Sequence, residues 1–301
     1  MTPQARTLLL KIALAFALGV VLTPIVAVIV AKITLHFGGQ IPQWHRVATR
    51  TFMVLIVVIF AWGSGHPRSW PDKFRAMGLR GPNRLPRFLT GALWAVALFA
   101  AIIGSSYLLG GRTPQYDEPK RTLLKALGVF ALSGCLVGMF EEILFRGYMK
   151  DTLGGMLSAF LYAIVHFFRP MHKTVRIDEF DPLLVIHRFG DLLEGWMVLQ
   201  NVTFGMLTLF MFGIALNRLR ERTGTLYLGI GLHAGIVFAM RLYQQWVSAT
   251  PNGSRMIWGS NRVHDSLVGF VGMAVMILIA YKAPLGRLLR DKPETLDDRA
   301  A

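Results

Sequence analysis

Three stretches of this chain run for at least 20 residues without a charge: residues 12–31, 88–111 and 195–217. A helix needs roughly 20 apolar residues to cross a hydrocarbon core about 30 Å thick, where the backbone must satisfy its own polar groups. Each stretch is long enough to do so. Residues 47–63, 126–148, 154–168, 223–247 and 266–281 repeat the pattern in shorter or interrupted form. The sequence therefore predicts an all-α, polytopic membrane protein of about eight transmembrane helices. Residues 1–301 read as a single integral-membrane domain, with its chemistry-bearing core at about 122–247.

Composition agrees with that reading and narrows the partners. Only 16% of the 301 residues are charged, against about 25% in ordinary soluble domains. A hydrophobic share of 53% also excludes a disordered chain. The single cysteine, Cys135, rules out a disulfide framework and a cysteine-based zinc site. The net charge of +15 comes from basic residues lying between apolar runs, so it points to anionic lipid head groups and not to nucleic acid. With eight spans, 18 of the 32 Lys and Arg share the side of the termini. That bias places the termini in the cytoplasm of a bacterial-type inner membrane. Arg6 and Lys11 precede the first run, but no small-residue cleavage site closes it, so it reads as a retained span.

Two segments read as connections. Residues 172–191 form a longer polar stretch with Asp178, Glu179, Asp181 and His187, a solvated loop with the alternative of a lid. Gly63-Ser64-Gly65-His66 is a turn with no nucleophile.

An ionisable group kept inside an apolar helix is costly, so such groups mark function. Glu141 and Glu142 follow directly on 126–140, His166 lies late in the fifth predicted span and His233 early in the seventh; Asn201, beside Gln200, is polar but uncharged. The turn between the fourth and fifth spans falls near Gly154-Gly155, which places Glu141 and His166 at about 18 to 20 Å from it along antiparallel helices. His233 lies nine residues past Gly224, about 14 Å from a turn on the same side. An acid and two imidazoles from three helices are thus expected in one layer below the cytoplasmic surface.

Spacing separates the two carboxylates. Glu142 and Arg146 stand at i and i+4 in the favourable order for an intrahelical ion pair, which neutralises Glu142. Glu141 is rotated about 100° away and faces the bundle as a general base. Glu141 with His166 then deprotonates a water, and His233 stabilises the developing oxyanion.

Glu141-Glu142-x-x-x-Arg146, then Tyr162-x-x-x-His166, then His233 in Gly-Leu-His-Ala-Gly resembles the three-motif signature of the CAAX-protease and bacteriocin-processing (CPBP, or ABI) family of intramembrane proteases. The resemblance spans roughly 130–240. It implies an eight-helix membrane endopeptidase with Glu141 and His166 as water activators and His233 at the oxyanion, acting on a membrane-associated protein or peptide that in some relatives is lipidated. Its members have been described both as zinc metalloproteases and as metal-independent glutamate proteases. The reading here is metal-free; were zinc the cofactor, its ligands would be Glu141, His166 and His233. Two residues depart from the pattern: Tyr162 stands for the usual Phe, and Val237 for the usual Asn or Asp four residues after His233. Valine offers no donor, so Asn201 or Gln200 is a candidate replacement. A catalytically impaired relative acting as a membrane scaffold, immunity or binding protein is the alternative.

Overall fold

The computed structural model describes residues 3–37, 51, 54–55, 70–81, 83–114, 122–167, 194–199, 201–250, 253–260 and 263–282. These fall into two compact units. One comprises Met1–Pro67 with Ile164–Val202, and the other Arg68–Ala163 with Thr203–Ala301.

In the first unit, α1 (Pro3–His36) extends the predicted 12–31 run at both ends. Phe167, fully buried, meets the Trp196 ring edge-on at 5.9 Å from the helical turn Glu194–Met197. The predicted span 47–63 lies almost wholly outside the described residues; the 63–66 turn and the 172–191 loop lie outside them altogether.

The second unit holds α2 (Trp70–Ala76), α3 (Arg84–Leu108), α4 (Thr122–Glu142), α5 (Gly155–Val165, whose last two residues belong to the first unit), α6 (Met206–Thr223), α7 (Tyr227–Trp246) and α8 (Leu267–Lys282). A π-helical segment, Ile143–Met149, and a final turn, Lys150–Leu153, continue α4. Gly154, at φ +86°, then reverses the chain into α5, where the sequence places the turn.

Helix α7 packs against both α3 and α4, and small residues allow it. A methyl group on Gly231 would stand 1.9 Å from the Phe88 carbonyl oxygen of α3, and one on Gly134 of α4 would stand 2.6 Å from that of Ala234. Such backbone approach gives apolar helices dispersion contact where lipid removes the hydrophobic drive to associate. Phe88 lies beside Gly231 and Ala92 beside Gly235, so α3 and α7 run parallel. On α4 the outward residues Leu132, Leu136 and Met139 stay exposed, as a lipid-facing stripe at helical spacing requires.

Among the described residues, three helices are long and apolar enough to cross a membrane: Arg84–Leu108, Leu123–Leu153 and Val202–Thr223; Gly155–Val165 and Leu267–Ile279 are shorter apolar helices. The predicted count of eight is not confirmed by this measure, which covers the described residues alone. Helix α7, ten of whose residues are buried, is not among these helices.

At the far ends of α3 and α7, β1 (Arg112–Pro114) pairs antiparallel with β2 (Val247–Ala249), with Thr113 opposite Ser248. Phe99, Ala239, Tyr243 and Val263 form a core cluster beneath this pair.

Candidate active site

Glu141 and Glu142 are the last residues of α4, immediately before the π-helical segment. Segments of this kind are uncommon and recur at functional sites. The local winding leaves backbone groups to be satisfied from elsewhere, and the Arg220 guanidinium of α6 donates to the Arg146 carbonyl. Arg220 also pairs with Asp151, Nη2 to Oδ2 at 2.7 Å, and reaches the Ala76 carbonyl. One cation thus ties α2, α6 and the end of α4 together.

The ion pair read from spacing is present: Arg146 Nη1 lies 3.0 Å from Glu142 Oε1. Arg146 is one of the 18 basic residues that the sequence assigns to the side of the termini. It is instead fully buried, because its charge is matched by Glu142 and its guanidinium lies 4.2 Å from the Tyr162 ring centroid. The Tyr162 ring in turn meets the Phe145 ring edge-on, and α5 is fixed to this segment by Ser158 Oγ, which donates to the Phe145 carbonyl at 2.6 Å.

Glu142 has a second partner that spacing did not reveal. His233 Nδ1 lies 3.0 Å from the same Oε1. A carboxylate only accepts, so this bond fixes the proton of a neutral His233 on Nδ1 and leaves the Nε2 lone pair open. Nε2 faces Glu141 Oε2 at 3.6 Å. That is too long for a direct hydrogen bond and short enough for both atoms to contact one small molecule. Glycine at 229, one turn before His233, makes room: a methyl there would sit 3.2 Å from Glu142 Oε2. The rings of Phe212 and Tyr162 wall His233 edge-on, with centroids at 5.5 and 5.9 Å.

The structure thus brings together Glu141, Glu142, Arg146, Tyr162 and His233 in one unit, all buried. His166 belongs to the other unit, half-buried in the turn that closes α5. Asn201 opens the π-helical turn Asn201–Gly205, also at the edge of that other unit, and its side chain lies outside the described residues, as does Gln200. Val237 is half-buried on α7, one turn past His233. Phe212 was missed by the sequence reading; an apolar residue in an apolar helix carries no signal there.

Zinc in a catalytic site takes three protein ligands and leaves one position open. Glu141 and His233 present two suitable atoms, but among the described residues no group of three or more His, Cys, Asp or Glu is arranged to hold a metal. The residues described do not make up a zinc site.

Against this geometry, comparison with family models gives one match: type II CAAX prenyl endopeptidase Rce1-like, over residues 123–239. Over that stretch, rather more than a third of the chain, the sequence is similar to that family. It runs from the start of α4 to the buried Ala239 of α7, and so contains the glutamate pair, Arg146, Tyr162, His166 and His233. The likeness to CAAX endopeptidases suggests a peptidase that works in a membrane on a protein or peptide, in keeping with the apolar helices α3, α4 and α6. Neither the curated proteins nor the solved structures gave a match.

Proposed function

We propose that this protein is an intramembrane endopeptidase of glutamate type, which hydrolyses a peptide bond of a membrane-associated protein or peptide with water as nucleophile. The observation that carries this reading is the facing of Glu141 Oε2 and His233 Nε2 at 3.6 Å inside a buried layer, within a stretch matched to CAAX endopeptidases.

The chemistry follows from the atoms. A water seated beside Glu141 gives one proton to the carboxylate as its oxygen attacks the scissile carbonyl carbon. His166 is assigned a further contact to that water, which the Nε2 of His233 also borders. The tetrahedral intermediate carries a negative oxygen, and His233 is assigned to it. Because the Nδ1–H of His233 is donated to Glu142, the ring takes a second proton from bulk water on Nε2 before it donates to that oxygen. Collapse of the intermediate breaks the C–N bond, and Glu141 returns its proton to the departing amine. General base action of this kind contributes about 10²–10⁴-fold, and each oxyanion donor about 10²–10³-fold. Glu142 acts through His233: it sets the ring's tautomer and direction, as the buried acid of a catalytic triad does. Arg146 holds Glu142 in place through the ion pair.

No metal takes part in this scheme, and zinc is the alternative. The substrate is a protein or peptide at the bilayer, lipidated or not, and the setting is a bacterial-type inner membrane with cytoplasmic termini. A second reading, a non-catalytic relative that keeps the polar layer for binding, is favoured by Val237, which offers no donor beside His233. Purified protein in proteoliposomes, given an internally quenched peptide with a farnesylated CAAX terminus and its unprenylated counterpart, tests the reading. Cleavage by the wild type that Glu141→Gln lowers at least about 10²-fold, with the fold intact, supports it. Undiminished cleavage in Glu141→Gln would remove it, and absence of cleavage in wild type that Val237→Asn creates would favour the second reading.

A further inference from the structure

Thr208, on the second residue pair of α6, is 1% exposed, and its hydroxyl has no hydrogen-bond partner among the described residues. This is unlike other helical threonines of the chain. Thr34, Thr90, Thr152 and Thr223 each donate to the carbonyl four residues back, at 2.7 to 3.2 Å. That local bond is the usual resting place of a hydroxyl in an apolar helix. For Thr208 the corresponding carbonyl belongs to Phe204, inside the π-helical turn Asn201–Gly205, where the backbone has left α geometry. The hydroxyl does not make that bond, and a buried polar group without a partner is a cost that the fold has not removed.

Its place in the bundle says what it can serve. Helices α6 and α7 run antiparallel: a methyl on Gly229 would touch Leu216 at 3.5 Å, and the Phe212 and His233 rings meet at 5.5 Å. One more turn in the same register sets Thr208 level with Val237. Residues i and i+4 share a helix face, so Thr208 lies on the face through which Phe212 meets His233. The donor missing from Val237 on one helix is matched, at the same level, by a hydroxyl without a partner on the next.

We propose that Thr208 Oγ–H donates a hydrogen bond to the carbonyl oxygen of the scissile peptide bond, stabilising the oxyanion beside His233 where Val237 cannot. This rests on the endopeptidase reading and completes its oxyanion site from α6.

Two readouts on Thr208→Val and Thr208→Ser, in the full chain in proteoliposomes with the quenched farnesylated peptide, test it. Thr208→Val keeps the shape and removes the hydroxyl. The expected result is a kcat lower by about 10²-fold with KM little changed, together with a raised Tm, because an unsatisfied polar group has been removed. Thr208→Ser should keep most of the activity, and Val237→Asn should restore kcat in the Thr208→Val background. A Tm lowered by Thr208→Val would show that the hydroxyl is satisfied within the fold and would overturn the proposal, as would an unchanged kcat. Failure of the wild type to cleave, in the same assay, overturns the endopeptidase reading itself and the donor role with it.

Discussion

Two buried polar clusters lie along α7, centred on His233 and Tyr243, ten residues and about 15 Å apart. At the Tyr243 end, the buried Arg112 donates to the Ser260 carbonyl at 2.9 Å and to that of Trp258, and its guanidinium lies 5.3 Å from the Tyr243 ring centroid. Asp265 receives the Ser260 amide and hydroxyl at 3.0 and 2.5 Å. These charges close on backbone and hydroxyl groups of the segment that follows β2, and they hold that segment over the ends of α3 and α7. At the His233 end, one carboxylate, Glu142, is bound by Arg146 and by the imidazole, while the other, Glu141, faces the open ring nitrogen across 3.6 Å. In the first cluster the printed bonds are direct, at 2.5 to 3.0 Å, whereas in the second Glu141 and His233 stand 3.6 Å apart. Burial of charge is common to both; what separates them is whether the groups bind each other or leave room between them.

The strongest way to break this contrast is to remove the helix that carries both clusters. Gly231→Leu forces a side chain into the Phe88 carbonyl and should cost more than about 4 kcal/mol, the range reserved for gross overpacking and lost networks. Circular dichroism and gel filtration in detergent should find little folded protein. Arg146→Met is next. It strands Glu142 as a buried charge, and breaking such a pair costs about 3–5 kcal/mol; the unfolding midpoint should fall, and activity with it, since the His233 anchor is disturbed. Arg112→Met, at the other cluster, leaves carbonyl oxygens unsatisfied at about 1–3 kcal/mol. It should lower the midpoint less and leave kcat unchanged below the transition, which sharpens the distinction between a structural and a reactive cluster. The smallest effect is expected from a chelator: cleavage measured before and after dialysis against EDTA should not change, whereas loss restored by zinc would contradict the metal-free scheme.

The sequence made local and punctuated features legible. Gly154 and Gly224 end their helices at positive φ because glycine alone enters that region without strain, so both turns could be placed in advance. The Glu142–Arg146 pair could be read because i and i+4 are neighbours on any helix. The bond between Glu142 and His233 could not. The two residues are 91 apart in sequence, and their meeting depends on backbone approach of α4 and α7 at Gly134 and Gly138. Nor did Ile143–Met149 carry any mark of its π winding, which fixes the direction of Arg146. Thr208 stayed silent too: a threonine in an apolar helix does not reveal from its sequence whether its hydroxyl makes the local bond. Glu141 and His233 lie 3.6 Å apart, as their matched depth along the helices anticipates, whereas the count of eight spans is not confirmed by the described residues.

The central claim is that Glu141 and His233 share one water. A cryo-electron microscopy map of the chain in a lipid nanodisc, at a resolution that shows ordered water, tests it directly. The account predicts a single water within hydrogen-bond distance of both Glu141 Oε2 and His233 Nε2, with Nδ1 bound to Glu142. A map in which the Glu141 carboxylate turns toward the acyl chains, with His233 packed dry against Tyr162 and Phe212, would contradict it.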